Sequence, residues 1–238
     1  MVAPGVGATE PDAPPPKGAA DNTSPSKFEV AQRIARSLFG KAIGPEFDAD
    51  DPTSLAPEGY SAEVQLALDF DANELQDIVL MLNPDPDGTS SKSGPCVIVL
   101  ALAVDASKYV VAAINGEAFA CPQPAAEDGM DGTEVMFTTS EDGRELVINV
   151  AQQGHVIWET WSFQVGYDAR SSRFVLSKLF NTYYNRTGMV GGNRTLYPLE
   201  GRGERVEDGA EPEPLRASPT RVFFEDLSNE VAYKLFGS

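Results

Sequence analysis

The sequence predicts a mainly β fold: a β-rich α+β domain whose antiparallel meander strands form a sandwich-like body, with one helix before them and a short one after. Three observations carry this reading. Between residues 60 and 200 the apolar side chains recur with a period near two rather than 3.6. Turn-forming pairs stand between the apolar stretches: Asp87-Gly88, Asn115-Gly116, Asp142-Gly143, Asp168-Ala169 and Gly191-Gly192. A length of 238 residues with 42% apolar content suffices for one domain with a substantial core. Short consecutive strands joined by such turns make antiparallel meanders, not helical crossover units.

Residues 1–25 are rich in Pro, Ala and Gly and nearly free of bulky apolar side chains, so they read as a flexible leader. Ser26-x-x-Glu29 is a capping box, after which Phe28, Ala31, Ile34, Ala35 and Leu38 follow with helical spacing and Gly40 supplies a stop. This predicts a helix over 27–39 with one apolar face. Residues 44–59, with several Pro and Asp, read as loop. Strands are predicted at 62–68, 77–82, 96–104, 108–114, 134–138, 145–151, 155–165, 173–183 and 193–199. Trp158, Trp161, Phe163, Tyr167 and Phe174 are expected to build much of the core. The globular domain thus spans 26–200. Residues 201–218 are acidic and Pro-rich and read as loop, and 219–238 as a strand near 221–224 and a helix over 228–236. That C-terminal segment either docks on the domain or engages a partner.

Thirty-six Asp and Glu against 18 Lys and Arg give a net charge of −18 and an isoelectric point near 4.3. Such a field repels nucleic-acid phosphates and anionic lipid, and favours cations or a basic protein partner. No apolar run approaches the roughly 20 residues that span a bilayer; the longest, 97–104, reads as a buried strand. The first residues offer neither a basic region nor an apolar one, so they do not form an intact signal peptide. A cytoplasmic protein fits this, and so does an exported one whose signal has been replaced. Cys96 and Cys121 stand at the two ends of one predicted hairpin. In an oxidising compartment they close a loop of about 25 residues, worth roughly 3.5 kcal/mol; in the cytosol they are buried thiols. Their placement favours the disulfide.

The spacing that suggests chemistry is Asp69-x-Asp71-x-Asn73-x-x-x-Asp77, an oxygen-rich turn between two apolar strands. Oxygen ligands on alternate residues of a tight turn are what Ca²⁺ requires. The sixth position, where such loops favour a glycine with positive φ, holds Glu74. The competing reading is a polar turn whose Asp side chains bond local amides. His155 is the single histidine, which excludes a multi-histidine metal site and reads as a strand-edge residue. Glu159 lies between Trp158 and Thr160, where flanking aromatics could wall a sugar site for a carboxylate hydrolase; strand alternation instead sends Glu159 to solvent and its neighbours inward. The Gly191-Gly192 pair is too short a signal for a phosphate loop. No residue is assigned a catalytic role, and Ca²⁺ is the single cofactor considered.

The segment 69–82, DFDANELQDIVLML from its second apolar flank, is similar to the loop-plus-strand signature of FG-GAP/VCBS-type repeats, with Glu74 in place of the glycine. One copy is present, so a complete propeller is not expected. Residues 62–200 also resemble a group of exported bacterial proteins, on a stretch running from Trp161-Ser-Phe163 through Tyr167-Asp168-Ala169 to Arg173-Phe174-Val-Leu176, followed by Tyr183-Tyr184-Asn185-Arg186. The resemblance implies fold type and export to the periplasm or beyond, and brings no catalytic residues. The expected function is a non-catalytic exported binding or assembly module whose acidic surface meets a protein partner. The alternatives are an acidic immunity-type inhibitor of a basic toxin, a subunit of an envelope complex, and a carboxylate-dependent hydrolase.

Overall fold

The structure, a computed structural model, describes residues 46–48, 51–56, 60–84, 96–116, 119, 121–122, 132–154 and 156–237. The expected leader, the helix over 27–39 and the Asp87-Gly88 turn lie outside these residues. Two antiparallel sheets account for most of what is described. The first joins β1 (Glu46–Asp48), β2 (Tyr60–Leu68), β3 (Asp77–Pro84), β4 (Val97–Asp105) and β5 (Lys108–Asn115) in the order β1-β5-β4-β3-β2. It curls as a half-barrel, not a closed propeller. The second is an unbroken meander of β6 (Gly132–Thr139), β7 (Leu146–Gln153), β8 (Ile157–Asp168), β9 (Arg173–Asn185), β10 (Val190–Tyr197), β11 (Arg202–Glu207) and β12 (Glu213–Arg216). A helix, α1 (Asn229–Gly237), stands last among the described residues.

The two sheets bury their facing sides on each other. Leu68, Val79, Ile98, Leu100 and Ala112 of the first sheet share a core with Leu146, Ile148, Trp161, Phe163, Leu176 and Leu179 of the second. The strands differ in their patterns for a physical reason. In β7 and β8 the side chains alternate inward and outward, because one face meets the core and the other meets water. In β3 and β4 nearly every residue is buried, since Leu80, Leu82, Val97 and Val99 form a second cluster with Phe47 on the opposite face of the first sheet. Their unbroken apolar runs are the sequence mark of burial on both faces. The segment after β12 closes the sandwich: Val222, Phe224, Leu227 and Ala232 belong to the main core. The C-terminal segment therefore docks.

Several expectations are corrected. The acidic stretch 201–218 is not a loop but the hairpin β11–β12. An edge strand bonds on one side alone, so it tolerates Pro214 and a row of charges that a central strand would not. Part of the loop expected at 44–59 is β1 and a 3₁₀ turn at Pro52–Leu55. Gly191 and Gly192 lie inside β10; the turn before it runs through Met189, which holds a φ of +50°. Residues 221–224 make a single bridge, Val175 to Phe223, rather than a strand. Trp158 is absent from the core and 45% exposed, because its side of β8 is opposite to that of Trp161.

Candidate functional site

The β2–β3 connection, residues 69–76, is shaped by its own carboxylates. Asp69 Oδ1 accepts the Asn73 N–H at 3.1 Å and Oδ2 the Glu74 N–H at 2.9 Å. Asn73 Oδ1 in turn accepts the Leu75 N–H at 2.7 Å. These bonds curl the loop tightly enough that Ala72 and Glu74 take φ of +60° and +67°. Asp77, wholly buried at the start of β3, accepts the Phe70 N–H at 2.7 Å on Oδ2 and the Ala103 N–H at 2.8 Å on Oδ1. The Asn73 side-chain amide donates to the Ala103 carbonyl at 3.3 Å. Both polar groups of Ala103 are thereby satisfied where β4 runs past its last pairing with β3 at Ala101. The loop finishes a ladder that the strand β3 is too short to finish.

This curl brings oxygen atoms of Asp69, Asp71 and Asp77 within 4.8 Å of one another. Asp71 Oδ1 is buried and accepts no hydrogen bond. Among the described residues no cation pairs with any of the three. Burial, then the neighbouring charges of Asp71 and Asp69, push the Asp77 carboxyl up to about 6, against the pull of its two backbone donors. A second buried oxygen without a partner, Glu225 Oε2, differs, because Arg173 lies 3.4 Å from the other oxygen of that carboxylate. Of the four residues read from the sequence, three converge; Asn73 spends its side chain on the turn and on Ala103. The donor set suits a hard cation: carboxylate oxygens that each keep a free lone pair, and one oxygen with no bond at all.

Elsewhere the sequence candidates separate. Cys96 and Cys121 sit at disulfide distance, Cα to Cα 4.9 Å. His155 lies outside the described residues. Glu159 is not turned to solvent: it shares the inner side of β8 with Trp161, while Trp158 and Thr160 face out. The two tryptophans therefore cannot wall one site around it. Its Oε1 accepts from Asn181 Nδ2 at 2.9 Å and its Oε2 from the Tyr233 hydroxyl at 2.6 Å. The cavity it borders, about 400 Å³, is lined by Thr133, Gln152, Gln153 and Ile157 together with Gly132 and Gly154, and none of these is a carboxylate. Sequence reasoning missed this network, which also holds Arg194 on the fully buried Asn181 at 2.7 Å; the signal was there in the strand parity of Glu159, Trp161, Asn181 and Arg194.

The excess charge has one clear concentration. Glu200, Glu204, Glu207, Asp208, Glu211 and Glu213 are all exposed along β11, β12 and their flanking turns. Arg202 pairs with Glu200, and Arg205 with Glu207; Arg216 is the third cation of the hairpin. Among the described residues no helix is long and apolar enough to cross a membrane. No family model, curated protein or solved structure matches the chain.

Proposed function

We propose that this chain is a non-catalytic binding or assembly module, exported to a periplasmic or secreted location, that meets a basic protein partner through the acidic β11–β12 hairpin. The observation that carries the reading is the run of six exposed carboxylates against three guanidiniums on an edge hairpin. A projecting edge of one sign steers an oppositely charged partner and makes association depend on salt. The cysteine pair at disulfide distance supports an oxidising compartment. The test is capture on the immobilised protein from a native envelope extract at low and high salt, beside the variant Glu204→Lys/Glu211→Lys/Glu213→Lys. One stoichiometric partner, lost in salt and lost with the charge reversal, supports the reading. A partner held equally by both proteins, or none at either salt, refutes it.

A second reading rests on the converging carboxylates. We infer that Asp69, Asp71 and Asp77 hold Ca²⁺, which ties the β2–β3 loop to the end of β4. The buried, unpartnered Asp71 Oδ1 supports it, since a lone carboxylate oxygen removed from water is costly without a cation. Chelated protein titrated with Ca²⁺ should melt at higher temperature as the ion concentration rises, and Asp71→Asn should lose that response. Equal melting with and without the ion in the wild type would remove the ion from the account.

A further inference from the structure

The outer face of the second sheet departs from the rest of this acidic surface. Two cross-strand rows run over it. In the first, Trp158 on β8 stands directly opposite Tyr184 on β9, with Gln153 of β7 on its other side. In the second, one residue pair along, Thr160 stands opposite Thr182, with Asn193 of β10 beyond. Trp158 is 45% exposed and Tyr184 39%, and both line a concavity of about 400 Å³ that Thr160, Thr182 and Arg186 complete. Side chains directly opposite on neighbouring strands start about 5 Å apart, and both rings line this one concavity. Gly191 fixes one side of it: a Cβ there would stand 3.1 Å from the Tyr184 ring and 3.0 Å from the Tyr183 carbonyl. With glycine in place, the Tyr184 ring lies close over the β10 backbone.

The chemistry of these two rows is selective. In a chain of net charge −18, the centre of the two rows, Trp158, Tyr184, Thr160 and Thr182, carries no carboxylate; Asp208, whose Oδ2 accepts the Gly191 N–H at 2.8 Å, and Glu134 of β6, opposite Ala151, stand at their ends. Between these ends the polar groups are amides and hydroxyls, which both donate and accept. A basic protein would find opposite charge only at the ends of the rows, and a polyanion would have to approach against the field of the whole chain. A pyranose fits: its C–H face packs on aromatic rings, while its edge hydroxyls meet side chains able to donate and accept, and Arg186 adds donors at the rim. We propose that this face binds a neutral oligosaccharide, with one sugar ring seated on Trp158 and Tyr184. The site borders the acidic hairpin at Asp208, but its occupant is of another chemical class, so its binding is read separately from the hairpin's.

The experiment is native electrophoresis of the full chain through gels containing a soluble neutral β-glucan, xylan or mannan, with polygalacturonate as the acidic comparison. Three variants run beside it: Trp158→Ala, Tyr184→Ala, and Met136→Ala, the last exposed on the same face on β6. The expected result is retardation by at least one neutral polymer, weakened at least tenfold by Trp158→Ala or Tyr184→Ala and unchanged by Met136→Ala. Since both aromatics are exposed, circular dichroism should show these variants folded, and two sites guard against the loss of either one. Retardation by no neutral polymer overturns the proposal. So does retardation by polygalacturonate alone, or a neutral-polymer shift that both aromatic variants retain. Loss of a protein partner by Trp158→Ala, without any glycan shift, would make the face a protein interface instead.

Discussion

Glu74 holds a φ of +67° because the carboxylate of Asp69 draws its N–H inward, not because its side chain prefers that region. A non-glycine residue there carries about 1 kcal/mol of strain, partly offset in any glycine replacement by the freedom glycine gains in the unfolded chain. Glu74→Gly is therefore expected to stabilise the protein by about 0.5 kcal/mol, read as a higher urea midpoint at constant slope; a lower midpoint would show that the Glu74 side chain itself holds the loop. Asp77 acts through its charge. Its carboxyl sits at about 6 when folded, against an ordinary 3.8, so between those values the folded state binds the extra proton. Its contribution to stability is then greatest below about pH 4 and falls as pH rises to 6. Asp77→Asn keeps one acceptor for two backbone donors and is weaker at every pH, yet its profile through that window should be flatter than the wild type's in chelator. Bound Ca²⁺, by favouring the carboxylate, should flatten the wild-type profile as well. Urea midpoints at pH 4, 5, 6 and 7 decide it, and parallel wild-type and variant profiles would count against a shifted Asp77.

Elements are placed by such residues. The helix α1 lies on the inner side of β8 and its neighbours through Tyr233, whose ring meets Trp161 edge-on at 5.0 Å and whose hydroxyl donates to Glu159 at 2.6 Å. Phe236 of the same helix lies 4.8 Å from the Arg194 guanidinium. Burial, then hydrogen bonding to Glu159, pushes the Tyr233 phenol up to about 12 from 10.0. The folded state thus favours the neutral phenol, and its contribution is held below pH 10 and lost as pH rises towards 12. Tyr233→Phe should cost under about 1 kcal/mol at neutral pH and should remove the latest-ionising tyrosine from an alkaline absorbance titration. An unchanged titration curve would place the shifted phenol elsewhere. At this scale the strands were largely legible: period two and turn residues located β2 to β10 within a few residues. What the chain does not display is which side of a strand meets the core, so Trp158 and Glu159 were read onto the wrong faces. Nor does it display a neighbour's atoms. Gly192 reads as a turn, yet it is glycine because the Val206 carbonyl and the Tyr183 hydroxyl stand 2.6 and 3.0 Å from where a Cβ would be. The hairpin 202–216 hid behind a composition of Pro and acids that an edge strand accepts.

For the molecule as a whole, two meanders have to be held face to face. The Cys96–Cys121 pair ties the chain just before β4 to the connection that leaves β5 for the second sheet. Closing its loop of 25 residues restricts the unfolded chain by roughly 3.5 kcal/mol, so Cys96→Ala/Cys121→Ala should lower stability by about 3 kcal/mol, and a reducing agent should do the same to the wild type and nothing to the variant. The other tie is the segment after β12. It crosses from the second sheet, where Val222 accepts the Leu176 N–H at 2.9 Å, to the end of the first, where the buried Asn115 side chain donates to the Phe224 carbonyl at 2.7 Å and the Leu227 carbonyl at 2.9 Å. A single amide thus satisfies two carbonyls on the segment that carries Phe224 into the core. Leucine would fill the same space but leave the Leu227 carbonyl without this donor, at about 1–3 kcal/mol, and the Phe224 carbonyl with the Leu227 N–H at 3.2 Å in place of two donors, at less. Asn115→Leu is therefore expected to cost about 2–4 kcal/mol, and to release residues 219–237 to protease before the sheets unfold. Loss of stability without that early cleavage would mean that the segment and the two sheets melt as one unit; wild-type stability would mean that apolar burial of Phe224, Leu227 and Ala232 holds the closure without Asn115.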